Sequence, residues 1–268
     1  MISISTNYGS MFASKAAGAA QKNMNSAMEK LSSGLRINNA KDDAAGQGIA
    51  TRLTAEITSL NMASRNASDA QSMIDTADGA YQEVHSMLLR MREIAVQASN
   101  GTLSGADRTA LDAEVTALET EITSIADNTA FAGIKLGTGL SVAFQIGTAQ
   151  GVTLSHKFAD FDVSAIGANI AVNSVSTATA ALATIDGAIS TVSANRGTLG
   201  ALSNRLSSTI TNLDNVSVNL SSARGRIQDT DFAQETSNLA KSQIMQQAAT
   251  AMLAQANASK QTVLALIQ

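Results

Sequence analysis

No proline occurs in any of the 268 residues. Average usage of about 5% would place about 13 in a chain of this length. A proline inside a helix costs about 3 kcal/mol, so a chain that excludes it is expected to be helical over most of its length. Cysteine is absent too, which excludes disulfides, thiolate nucleophiles and cysteine-based metal sites. There is no tryptophan, and aromatics make up only 3%. Small residues dominate instead, which favours close packing of long elements over a thick globular core. A net charge of −4 leaves no basic footprint for nucleic acid. No apolar run approaches the roughly 20 residues of a membrane span, so no membrane partner is expected. The start, Met1-Ile2-Ser3-Ile4-Ser5, lacks the basic and apolar parts of a cleaved secretory signal. Export, if it occurs, is expected by another route.

What is present is a heptad. Steps of three and four from Leu60 pass through Ala63, Ala67, Ala70, Ile74, Ala77, Tyr81, Val84, Leu88, Met91, Ala95 and Ala98. Every position is apolar or Tyr. Ile49, Leu53 and Ile57 extend the face upstream at helical spacing. One helix is expected from about 40 to 99, roughly 90 Å long at 1.5 Å per residue. A second seam runs through Ala178, Ala181, Ile185, Ala188, Val192, Asn195, Leu199, Leu202, Leu206, Thr209, Leu213, Val216, Leu220, Ala223 and Ile227. Its polar members, Asn195 and Thr209, either fix register or sit at the seam edge near water. A shorter helix carries Leu111, Val115, Leu118, Ile122 and Ile125, with Ser104-Gly105-Ala106-Asp107 as its capping box. The expected fold is mainly α, a long antiparallel coiled-coil bundle of these seams.

From about 131 to 172 the period changes. Glycines punctuate Phe131 to Gly137, and Leu140, Val142, Phe144 and Ile146 alternate with small or polar residues, as in a strand with one buried face. Val152-Thr153-Leu154 offers a second strand. A small β-hairpin region is expected to cap one end of the bundle, with Gly137-Thr138-Gly139 as a hairpin turn.

Candidate chemistry is sparse. His85 and His156 lie on different elements and read as ordinary surface or packing residues, so no metal site, cofactor site or catalytic group is assigned. Asp42-Asp43 and Asp229-Thr230-Asp231 have too few oxygen ligands for a cation loop. Capping of a helix that begins at Phe232 explains the second cluster better. The Asn-x-Ser triplets at Asn66, Asn215, Asn219 and Asn257 fall inside expected helices and read as chance.

The two ends, 1–33 and 231–268, are helical in pattern with blurred apolar faces. From Ile244 to Ala258, Ala, Met or Leu occupies nearly the whole circumference, and a helix apolar all round must be buried somewhere. The ends are therefore expected to fold on neighbouring copies. Ile2, Ile4, Tyr8, Phe12 and Leu31 at one end, and Phe232, Leu239, Ile244, Leu253, Val263 and Ile267 at the other, are the candidate assembly residues. The body between them, 34–230, is expected to be self-contained.

Specific strings then carry a resemblance. Leu31-Ser32-Ser33-Gly34-Leu35-Arg36-Ile37-Asn38-Asn39-Ala40-Lys41-Asp42-Asp43-Ala44-Ala45-Gly46 resembles the N-terminal signature of bacterial flagellin. Leu89-Arg90-Met91-Arg92-Glu93-Ile94-Ala95-Val96-Gln97-Ala98 is similar to that family's central-helix motif. Ile244-Met245-Gln246-Gln247-Ala248 and Leu253-Ala254-Gln255-Ala256-Asn257 resemble its C-terminal helix. The likeness spans about 1–135 and 177–268. It implies an inner domain of two terminal helices, an outer bundle without large inserted domains, and a homopolymer, the flagellar filament. It further implies an extracellular location after type III export, and partners among export chaperone, cap and hook-associated proteins. A hook–filament junction protein is the alternative within the same system. By the same resemblance Arg90, Arg92, Glu93, Ile94 and Glu114 occupy positions used between subunits or bound by the host innate receptor for flagellin. Leu89 stands where the family usually has Gln.

Overall fold

The structure, a computed structural model, describes the backbone of residues 6–265 and the side chains of residues 6–259. The described chain runs α1 (Tyr8–Ser33), α2 (Ala44–Ala98), α3 (Gly105–Asn128), β1 (Ala130–Phe131), β2 (Ile134–Lys135), β3 (Ser141–Gln145), β4 (Thr153–Lys157), α4 (Val163–Ile166), α5 (Val175–Gln228) and α6 (Phe232–Ala265). It forms two compact units, one of residues up to Ala55 and from Asn219 onward, the other of Glu56–Val218. The division falls inside α2 and α5.

In the Glu56–Val218 unit, every seam position of α2 from Leu60 to Ala98 is buried. On α5 the seam from Ala178 to Leu213 is buried at each apolar position, while Asn195 and Thr209 are half-buried. The Thr209 hydroxyl bonds the Arg205 carbonyl of its own helix, the behaviour of a seam-edge residue. Polar pairs flank the seam: Arg92 with Asp186 (2.7 Å), Arg196 with Asp78 (2.8 Å), Gln71 with Ser203 (3.4 Å) and Ser64 with Asp214 (3.1 Å). The α2 members are whole heptads apart, and their α5 partners advance as they recede, so the helices are antiparallel. By length and composition α5 contains a stretch apolar enough to cross a bilayer, with mean hydropathy 1.2. Its apolar residues from Ala178 to Leu213 line this seam.

The third helix begins at the expected capping box. The Ser104 hydroxyl accepts from the Asp107 N–H, and the Asp107 carboxylate accepts from the Ser104 N–H at 3.0 Å. Arg108 reaches back to the Ala98 and Asn100 carbonyls, both at 2.9 Å, closing the C-terminal end of α2. Asp112 and Glu119 on α3 accept the Val172 and Ile170 N–H groups, each at 2.7 Å, and so hold the segment that leads into α5.

The β region is two hairpins. β1 pairs with β2 around Ala132-Gly133, both at positive φ (50° and 83°), the turn that matches strand twist. β3 pairs with β4 in a register that sets Phe144 opposite Leu154 and Val142 opposite His156. Gly137–Gly139 joins the two hairpins and turns neither. Gly137 is required by close approach: a Cβ there would lie 2.2 Å from the Ala126 carbonyl oxygen. The larger hairpin lies along the flank of α2, where Asn66 donates to the Gln145 carbonyl at 3.1 Å. It covers the length of helix that α3 does not reach. Phe158 and Phe161 complete the core.

Tyr81, on the seam itself, donates its hydroxyl to the Ala159 carbonyl at 2.8 Å and packs its ring 4.6 Å from Phe161. Burial, with a smaller push from Asp160, holds the phenol far above its ordinary pKa. Tyr81→Phe leaves that carbonyl unpaired and is expected to cost about 1–2 kcal/mol, read by urea unfolding followed by circular dichroism. A change within error would show that the bond contributes nothing.

Candidate assembly surface

The first unit is built on two connecting segments that pair. Gly34 ends α1 at φ 72°, with its N–H on the Lys30 carbonyl at 2.9 Å, as a C-terminal glycine does. Beyond it Leu35 and Asp229 form an isolated antiparallel bridge. The Arg36 N–H donates to the Gln228 carbonyl at 2.7 Å and the Thr230 N–H to the Gly34 carbonyl at 3.0 Å. Asp231 then caps α6, accepting from the Ala233 and Gln234 N–H groups at 2.9 and 3.1 Å. On the other segment Asp42 accepts from the Asn39 and Asn38 N–H groups at 3.0 and 3.3 Å. Asp43 accepts from Gly46 at 2.8 Å, at the head of α2.

Paired in this way, α1 and α6 run antiparallel. Lys30 lies 3.7 Å from Glu235 near the base, Gln246 donates to Gln21 midway, and Asn7 donates to the Ala256 carbonyl at 3.1 Å near the far end. The Lys30–Glu235 pair also suits the peptide dipoles, a cation on the last turn of α1 and an anion on the first turn of α6.

The buried residues between these helices are small or polar. On α1 they are Ala13, Ala20 and Ala27; on α6 they are Glu235, Ser242 and Ala249. Both sets repeat at heptad spacing. The large apolar side chains lie on the outside: Phe12 is 77% exposed, Tyr8 73%, and Phe232 and Ile244 each 65%. Leu31, Leu239 and Leu253 are half-buried. Ile2, Ile4 and Ile267 lie outside the described residues, as does the Val263 side chain. The usual amphipathic arrangement is thus inverted. A groove of about 530 Å³ between the helices is lined by Ala20, Asn23, Lys30, Glu235, Ser242 and Met245 among others.

A second candidate surface lies on the other unit. Arg90 bonds Glu114 at 2.8 and 3.0 Å and Glu93 at 3.0 Å. These bonds, Glu114 first, raise its pKa above the ordinary guanidinium range. Arg92 is paired with Asp186, a partner that nothing in the local sequence around Arg92 indicates. Ile94 does not share this surface, because it is buried in the bundle core. Leu89 and Val96 are exposed there instead.

The remaining titratable groups are dispersed. His156 packs edge-on against Phe158 at 4.9 Å, and burial lowers its pKa. His85 is half-buried on α2. Among the described residues no three His, Asp or Glu side chains converge as metal ligands would.

Residues 4–141 match the family model of the bacterial flagellin N-terminal helical region, and residues 182–267 that of the C-terminal helical region. A flagellin of Halalkalibacterium halodurans is 44% identical over 247 residues, covering 90% of this chain and 91% of its own. The crystal structure of Bacillus cereus flagellin aligns with a TM-score of 0.51 at 32% identity, over 56% of this chain and 88% of that one. A Vibrio parahaemolyticus structure named for a flagellar hook-associated protein aligns with a TM-score of 0.62 at 16% identity, over 70% and 100%. That last likeness concerns the fold alone.

The Asn39 bond, more than any other contact, holds the Asp42 carboxyl below its ordinary pKa. A depressed folded pKa contributes stability above the unfolded value, and that contribution is lost as pH falls through the folded one. The Asn38 and Asn39 amide shifts in nuclear magnetic resonance are therefore expected to titrate together, at a pH below the usual Asp range. Asp42→Asn should abolish both titrations. Amides that ignore pH in the unmutated chain would show that the bonds are absent.

Proposed function

The chain belongs to the bacterial flagellin family, and from that premise we propose that the inverted α1–α6 pair is the surface through which its copies join. The protein is a structural subunit of the flagellar filament, not an enzyme, and it self-polymerises. The proposal rests on one observation: alanines face inward between the two helices while Phe12, Phe232 and Ile244 face out. Alanine burial contributes little, and large apolar side chains left in water gain about 1.5–3 kcal/mol each when covered. Neighbouring copies supply that cover. In this reading residues 1–33 and 231–268 are assembly arms and 34–230 is the body. Arms of many copies pack into a tube around a channel, and the bodies carry bending and torsion.

Several partners follow from the resemblance and from that function. The subunit takes the flagellar type III export route, is handled by an export chaperone, and is placed between hook-associated and cap proteins. Arg90, Arg92, Glu93 and Glu114 form an exposed charged patch suited to a neighbouring subunit or to the host innate receptor that senses flagellin. Ile94 supports that patch from within. A junction protein is disfavoured by the 44% identity to a flagellin over 90% of the chain, since the fold alone does not separate the two roles.

Seeded elongation, followed by electron microscopy, tests the assembly reading. The triple variant Phe12→Ser, Phe232→Ser, Ile244→Ser is expected to change the unfolding of the isolated subunit by no more than about 1.5 kcal/mol and to slow elongation by about tenfold or more. Elongation at the unmutated rate would remove these residues from the interface, and growth that stops after one ring would favour a junction role. For the receptor, Arg90→Ala is expected to weaken reporter-cell activation by about tenfold or more. Because the Arg90 pairs are exposed, it should leave the stability of the subunit nearly unchanged. No response to the unmutated protein would reject receptor binding.

A further inference from the structure

We infer that Met11, Met28, Met245 and Met252 are peroxide-sensitive modification sites whose oxidation withdraws the free subunit from assembly. The inference rests on the assembly reading above and adds a chemical control to the same surface.

The chain has ten methionines and no cysteine, so thioethers are its only oxidisable sulfurs. They are not spread evenly by exposure. Met11 and Met252 are each 64% exposed, and Met245 and Met28 are exposed as well, all four on α1 and α6. Met73 and Met91 are buried in the bundle core. Met62 is exposed but lies on α2 in the other unit. An oxidant in solution therefore reaches the arms while leaving the core sulfurs covered. The exposed thioethers also sit among the outward apolar residues: Met11 precedes Phe12, Met245 follows Ile244, and Met252 lies one heptad beyond Met245.

The step is an oxygen-atom transfer from a peroxide. The thioether lone pair attacks one peroxide oxygen, the O–O bond breaks, and an S–O bond forms. Sulfur is oxidised by two electrons, and the other oxygen takes up the proton of the transferred one and leaves as water. The product is a polar, chiral sulfoxide where a flexible apolar side chain stood. Its oxygen is an acceptor that an apolar neighbour cannot satisfy, so covering it with a second copy is penalised. Methionine sulfoxide reductases of both stereospecificities reverse the change. In the polymer the same sulfurs are covered, so the control acts on the free subunit.

The test uses the full chain, with hydrogen peroxide as oxidant, elongation on seeds as one readout and peptide mass spectrometry as the other. Treated subunit is expected to oxidise at Met11, Met28, Met245 and Met252, together with the exposed Met62 outside the arms, well ahead of Met73 and Met91. It should elongate at least about tenfold more slowly, and recover after the paired reductases. Preformed filament should resist oxidation at the four positions. A variant with all four changed to Leu, which conserves volume, should elongate equally before and after peroxide. Three results would overturn the inference: treated subunit that elongates normally, equal oxidation of core and arm sulfurs, or the same loss in the Leu variant as in the unmutated chain. If untreated subunit fails to elongate, the assembly reading is at fault. Peptide mapping of free subunit still decides whether the four arm sulfurs are the reactive ones.

Discussion

The distance at which α1 meets α6 is fixed by alanine. Ala13, Ala20 and Ala27 recur once per heptad on α1, and Glu235, Ser242 and Ala249 do so on α6, and the methyl side chains of α1 let the two backbones approach closely. Phe12, Tyr8, Phe232 and Ile244 are thereby left on the outside of the pair. A Leu or Ile seam would have made a stable hairpin with a polar exterior and nothing to offer a neighbour. The small seam does the opposite: it stabilises the pair weakly and leaves its exterior in need of cover. Polar contacts set direction and register, among them Lys30 with Glu235 and the Leu35–Asp229 bridge at the base of the pair.

The two seams of the bundle were legible because their period is regular and their members are apolar. From Leu60 to Ala98 each expected position is buried. Register is lost toward the ends of both seams. Upstream of Leu53, the three-and-four stepping leads to Ala50 and Gly46, and these are the buried residues, while Ile49 is exposed. Near the end of α5, Val216 is exposed and Ser217 is half-buried with a bond to Asn61.

Other features had no local signal. Alternation at Val142 and Phe144 pointed to a strand, but the pairing of β1 with β2 depends on Ala132 accepting a left-handed conformation, which alanine rarely does. The role of Gly137 follows from the Ala126 carbonyl above it, a contact between segments that spacing does not reveal. Ile94 sits in a string of exposed charged residues and belongs to the core because it lies next to the seam position Ala95. The inversion of the α1–α6 pair escaped composition entirely: an all-round apolar helix says that cover is needed and not which side already has it.

One feature of the body reaches beyond assembly. The tip between β3 and β4 runs from Thr148 to Gly151, exposed throughout, and its two ends are clamped together by the Gln145–Thr153 pair. Lengthening a loop whose ends are already joined adds little closure entropy, about 0.6 kcal/mol per doubling. Foreign peptide inserted there would therefore leave the fold of the subunit nearly undisturbed, which makes this short hairpin a tolerant site for insertion.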